Sequence, residues 1–121
     1  MPSRETVDAF LAQVVSGDHV GAIRDWYADD ATMQENQQEP RAGRELLMAH
    51  EAAALQRSAH VDSECLSAAV IDGDRVVIHW LFTFQLHNGA RMTLNELALQ
   101  TWRGDKIIAE TFFYDPKQIG R

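Results

Sequence analysis

Three short turn signals in the second half of the chain constrain its fold most: Asp72-Gly73-Asp74, Asn88-Gly89 and Gly104-Asp105. They separate four stretches rich in β-branched and aromatic residues: His60 to Ile71, Arg75 to Leu86, Arg91 to Trp102 and Lys106 to Tyr114. Asn-Gly is the strongest of the three, because both central residues of a two-residue hairpin turn need positive φ. A meander of long antiparallel strands is therefore expected.

Turn length sets which side chains share a face. A two-residue turn at Asn88-Gly89 puts Phe84 opposite Thr93, Phe82 opposite Asn95 and Trp80 opposite Leu97. A two-residue turn at Gly104-Asp105 puts Leu99 opposite Glu110. One face then carries Ile78, Trp80, Phe82, Phe84, Asn95, Leu97, Leu99, Ile108, Glu110, Phe112 and Tyr114. The other carries His79, Leu81, Thr83, Gln85, Glu96, Ala98, Gln100 and Trp102, and suits a subunit interface. Glu110 stands out on the aromatic face. Desolvation there raises its pKa, and such a carboxyl either has a buried partner or serves a ligand.

The first half reads as helix. Val7, Phe10, Leu11, Val14 and Val15 recur at helical spacing until Ser16-Gly17-Asp18. Asp18 is a natural N-cap for a second helix carrying Val20, Ile23 and Trp26-Tyr27, closed by Asp29-Asp30. Ala31-Thr32-Met33 is a brief extended piece, and Gln34 to Arg44 reads as a loop. A third helix spans Arg44 to Gln56, with His50 among its apolar neighbours and turned inward. Helices followed by a meander define the α+β class.

With 121 residues, one domain is expected over 1–121. The 18 acidic against 11 basic residues give a formal charge of −7, which argues against nucleic-acid and anionic-membrane partners. No apolar run approaches the roughly 20 residues that span a bilayer, and Met1 to Asp8 lacks a signal-peptide core. The single cysteine, Cys65, suits a reducing compartment, so a cytoplasmic location is expected. The five histidines show no metal-ligand spacing, and no glycine-rich phosphate loop or nucleophile elbow is present; neither metal nor cofactor is expected.

Several segments carry a family resemblance: Ser16-Gly17-Asp18, Trp26-Tyr27-Ala28-Asp29-Asp30-Ala31-Thr32, Glu39-Pro40-Arg41-Ala42-Gly43, Trp102 to Ile107 and Phe112-Phe113-Tyr114-Asp115-Pro116. Over nearly its whole length the chain resembles the nuclear transport factor 2-like superfamily, which includes ketosteroid isomerase and the SnoaL-like polyketide cyclases. The resemblance implies a curved sheet wrapped into a cone, three helices closing a deep apolar pocket, and a homodimer, here through the outer sheet face. The position of the isomerase's carboxylate base falls on Glu35. That enzyme's oxyanion hole uses a tyrosine and a protonated aspartate; the corresponding positions look like Phe10 and Leu99, which donate nothing. Substitute polar groups are Glu110, Tyr114, Asn36, His50 and Asn95, with Trp80, Phe82, Phe84, Leu97, Leu99 and Phe112 as apolar lining.

Two functions follow as expectations. One is general acid–base isomerisation, cyclisation or dehydration of an apolar carbonyl-containing or polyketide-like molecule, with Glu35 as base and Glu110 or Tyr114 assisting. The other is a non-catalytic dimeric module that holds a small molecule or a protein.

Overall fold

The computed structural model describes residues 1–119. Helix α1 (Arg4–Val15) starts where the Ser3 hydroxyl accepts the Thr6 amide at 3.0 Å, and it buries Val7, Phe10, Leu11 and Val14. Helix α2 (His19–Trp26) is capped by Asp18, whose carboxylate accepts the Gly21 amide at 3.1 Å. A Cβ at Gly21 would collide with that carboxylate, so glycine is required for the cap to close. Helix α3 (Arg44–Gln56) has no side-chain cap and fully buries only Leu47.

Seven strands form one sheet: β1 (Tyr27–Glu35), β2 (Arg41–Ala42), β3 (Ser58–Cys65), β4 (Val70–Asp72), β5 (Arg75–Leu86), β6 (Arg91–Arg103) and β7 (Lys106–Phe113). Their order is β2-β1-β7-β6-β5-β3, with β4 also on β5. All neighbours are antiparallel except β1 and β7, which run parallel, so the sheet is mixed. It curls without closing, and the helices pack on its concave face. This is an NTF2-like α+β cone. No described helix is long and apolar enough to cross a membrane.

The first half differs from expectation along β1 and in the segment after it: Gln34 and Glu35 continue β1, and Arg41–Ala42 pair with it as β2, inside the stretch expected as a loop. Asp29 and Asp30 do not close α2; they lie in β1, which begins at Tyr27. Pairing with β7 supplies the ladder that recruits this polar segment, while Ala31 and Met33 point into the core.

The β5–β6 turn is one residue longer than Asn88-Gly89 alone suggests. The Leu86 amide donates to Ala90 O at 2.8 Å, enclosing His87, Asn88 and Gly89, with Gly89 at φ +89°. Trp80 therefore pairs with Glu96, Phe82 with Leu94 and Ile78 with Ala98. This one-residue slip turns β6 over. Glu96, Ala98, Gln100 and Trp102 face the core, whereas Asn95, Leu97 and Leu99 lie on the outer face and line no pocket.

A second irregularity acts on β7. Arg103 pairs with Lys106 as the turn predicts, but Trp102 pairs with Ile107 and Thr101 with Ala109, so Ile108 bulges. Ile107 rather than Ile108 is buried. Beyond the bulge Glu110 pairs with Gln100 instead of Leu99. The two shifts cancel on β7, so Glu110 and Phe112 share the inner face with Trp80 and Phe82.

The core is aromatic. Phe10 meets Trp26, Tyr27 and Trp102 edge-on, with centroids 6.1–6.4 Å apart, while Trp80 and Phe82 stack at 5.3 Å. These rings fill most of the cone.

Candidate functional site

What remains inside the cone is a cavity of about 70 Å³, bounded by Phe10, Tyr27, Met33, Trp80, Phe82 and Phe112, with Glu110, His19 and Glu51 as its ionisable groups. Glu110 and Tyr27 in its wall belong to a chain of four buried side chains. The Trp102 indole N–H donates to Gln100 Oε1 at 2.9 Å, and Gln100 Nε2 donates to Glu110 Oε2 at 2.7 Å. The Tyr27 hydroxyl hydrogen-bonds Glu110 Oε1. Every polar atom of this chain has a partner, as burial demands.

Burial pushes the Glu110 carboxyl up to about 7, against the opposing effect of the Tyr27 and Gln100 hydrogen bonds. Tyr27 is raised well above the ordinary phenol value, first by burial and then by the Glu110 charge, so its hydroxyl stays protonated. Glu96 is 5 % exposed and lies opposite Trp80 on the inner face; burial, reinforced by Glu110, Glu35 and Glu51, lifts it to about 8.

A second polar group forms near the end of β1. Arg41 Nη2 contacts Glu35 Oε2 at 2.7 Å, and the Tyr114 hydroxyl hydrogen-bonds Glu35 Oε1. Burial alone would raise Glu35, but those two hydrogen bonds and the Arg41 charge outweigh it and hold the carboxyl below its usual value. Tyr114 is raised by burial and by Glu35. Arg41 Nε is buried without a partner.

The expected site residues thus divide. Glu110, Trp80, Phe82 and Phe112 line the cavity. Glu35 and Tyr114 are brought together outside that lining. Asn36 is occupied structurally: at φ 52° its side chain accepts the Tyr114 amide at 3.0 Å. His50 is exposed rather than turned inward, although it lies one turn after the buried Leu47 on α3. Phe84 lies beyond Phe82, its ring tilted 43° to it, outside the cavity lining. Asn95 holds His79 and the C-terminal 3-10 turn (Pro116–Ile119) on the outer face.

Tyr27, Gln100, Glu51 and His19 escaped the sequence reading. Tyr27 was hidden by the helix pattern before it, and Gln100 by the turn length. His19 and Glu51 meet only in the folded chain. Among the described residues no group of three or more His, Cys, Asp or Glu side chains is placed to hold a metal ion.

A model of the SnoaL-like domain matches residues 7–110. A Mesorhizobium loti protein described as a SnoaL-like polyketide cyclase is 25% identical over 94% of this chain and 100% of its own, with a TM-score of 0.75. A Catenulispora acidiphila protein of ketosteroid isomerase-like fold, solved with trimethylamine, is 20% identical over 98% and 91%, at 0.80. A Burkholderia pseudomallei NTF2-like protein of unknown function is 14% identical over 99% and 100%, at 0.81. No curated protein matches the sequence. The cone, the helices over its concave face and the family match together make this chain a member of the SnoaL-like domain family, within the NTF2-like superfamily.

Proposed function

We propose that the cavity takes a compact, largely apolar carbonyl compound and that Glu110, working with Tyr27, moves a proton at the carbon beside the carbonyl. The observation that carries this reading is a buried carboxyl at about 7 on the wall of an aromatic cavity. At that value both protonation states are populated near neutrality, as a base that must also return its proton requires. Ionised Glu110 accepts the carbon-bound proton. Tyr27, kept neutral by burial, donates to the carbonyl oxygen as negative charge develops there.

Glu35 is a poorer base, since Arg41 and Tyr114 already stabilise its charge. Size restricts the ligand: a cavity near 70 Å³ is well below the roughly 300 Å³ at which pockets for drug-sized molecules begin. A multi-ring polyketide therefore requires the wall to open, whereas a five- or six-membered ketone needs little displacement.

Deuterium exchange beside the carbonyl of cyclopentanone and cyclohexenone in D2O, followed by proton NMR, tests this reading. The expected result is exchange accelerated by the protein and reduced roughly 100-fold or more in Glu110→Gln, the scale of a lost general base. Equal exchange in both proteins would overturn it. Ligand-induced shifts without exchange would favour a binding module.

We further infer a homodimer through the outer sheet face. Leu97 and Phe113 pair across β6 and β7 there and are 44 % and 45 % exposed, beside Leu81 and Leu99. An apolar row of this kind, edged by His79 and Asn95, suits isologous pairing with a second copy.

A further inference from the structure

Apart from the Glu110 chain, three side chains from three different elements are aligned by hydrogen bonds. His19, the first residue of α2, places Nε2 2.8 Å from Ser63 Oγ on β3 and Nδ1 3.1 Å from Glu51 Oε2 on α3. An ionised carboxylate can only accept, so Nδ1 carries the proton and Nε2 is free to accept from the serine hydroxyl. A base within reach of the hydroxyl, and a carboxylate fixing its tautomer, is the arrangement that activates a serine.

The imidazole is well fixed. Its residue is 8 % exposed, its ring packs against Phe82 at 5.9 Å, and the Asp18 cap sets the start of its helix. Ser63 remains partly exposed. His19 also borders two spaces. Inward is the 70 Å³ cavity, with Glu51 and Phe82 in its wall. Outward is an open groove of about 350 Å³, bordered by Gly17, Leu55, Ser58 and Val61.

We propose that Ser63 is a nucleophile, activated by His19 and Glu51, that accepts a short acyl group from an activated ester. Ser63 Oγ bonds to the acyl carbon as its proton passes to His19 Nε2. The carbon–oxygen bond to the leaving alcohol or phenol breaks, and that oxygen takes the proton from Nε2. Water then repeats the sequence in reverse: it adds to the acyl carbon, gives a proton to His19, and releases the carboxylic acid as Ser63 Oγ recovers the proton. His19, not Ser63, borders the two spaces, so the acyl group reaches Ser63 Oγ from its partly exposed side.

The test uses the full chain with p-nitrophenyl acetate, followed by nitrophenolate release and peptide mass spectrometry. One acetyl group on Ser63 is expected, with a burst of nitrophenolate. Glu51→Gln should slow acylation by roughly 10²–10⁴-fold through the wrong tautomer. Ser63→Ala should abolish it, while Ser63→Cys should be acylated at position 63 at a rate that falls when Glu51→Gln is added, a dependence that an unactivated thiol would not show. Glu64→Gln, which alters an exposed carboxylate beside Ser63 on β3 that takes no part in the His19 hydrogen bonds, should acylate normally. A folded wild-type chain that stays unlabelled, or acetyl groups confined to lysines and the N-terminus, would overturn the proposal.

Discussion

Glu35 and Glu110 project from neighbouring parallel strands onto the same face of the sheet, two residues out of step: Met33 lies opposite Glu110, and Glu35 opposite Phe112. Both are partly or wholly desolvated, yet they titrate in opposite directions. Glu35 has the Tyr114 hydroxyl and the Arg41 guanidinium in contact, which together outweigh its desolvation; Glu110 has only neutral donors, which do not. Two carboxyls with separated pKa values can divide ionised and protonated roles at one pH.

That separation is measurable by carbon-13 NMR of the glutamate carboxyls. Glu110 should titrate near 7, and Glu35 below its ordinary value. Arg41→Met leaves the Tyr114 hydrogen bond but removes a second hydrogen bond and a charge that hold Glu35 down, so its titration should move upward while Glu110 stays in place. A Glu110 midpoint in the ordinary range near 4.3 would remove the basis for proton transfer at neutral pH.

Glu96 and Glu110 also predict an unusual pH dependence of stability. Their folded values, about 8 and about 7, lie above the ordinary 4.5. Between 4.5 and 8 the folded chain therefore holds protons that the unfolded chain has released. The stability they contribute is complete below 4.5 and is lost as pH rises through 7 and 8, with a slope of about 1.4 kcal/mol per pH unit per proton. Glu35 acts oppositely and only at lower pH, as its depressed carboxyl is protonated. Urea unfolding should show falling stability from pH 5 to 8. Glu96→Gln should flatten that decline, with its largest stabilisation at pH 8 and little change at pH 4.

The long strands β5, β6 and β7, the three helices and the α+β class were legible because periodicity and turn residues are local signals; most of β1 and all of β2, polar and held by pairing, were not, and β3 and β4 read as one stretch from His60 to Ile71. Register was not, since it depends on one residue in a turn and one in a bulge. Asn88-Gly89 announces a hairpin equally well with two loop residues or three, and nothing around Ile108 marks it as the extra residue. Asn95, Leu97 and Leu99 were misplaced for that reason, and Glu96, Gln100 and Trp102 with them. Glu110 reached the inner face through two errors of opposite effect. Contacts such as His19 with Glu51 and Ser63 join positions 32 and 44 residues apart, and no local pattern encodes them.

The longer turn makes its own prediction. Gly89 at φ +89° occupies a conformation in which a Cβ is strained, although the space around it is open. Gly89→Ala should therefore cost about 1–2 kcal/mol through backbone strain alone. For a chain of this size that corresponds to a fall in Tm of roughly 3–10 °C by calorimetry. Asn88→Gly should cost less, losing only the hydrogen bond its side chain accepts from the Ala90 amide at 2.9 Å.

The outer face supplies the last prediction. Leu97 and Phe113 sit side by side in the β6–β7 ladder, half out of any environment the single chain provides. If a second copy covers them, Leu97→Glu places two carboxylates near the dyad in a desolvated contact, where like charges repel strongly. Light scattering should then report a dimer for the parent chain and a monomer for the variant. The interior makes no contact with the substituted position, so the Glu110 titration near 7 should persist in the monomer. A parent chain that scatters as a monomer across micromolar concentrations would exclude this interface, and Leu97→Glu would then leave both mass and stability nearly unchanged, as an exposed substitution should.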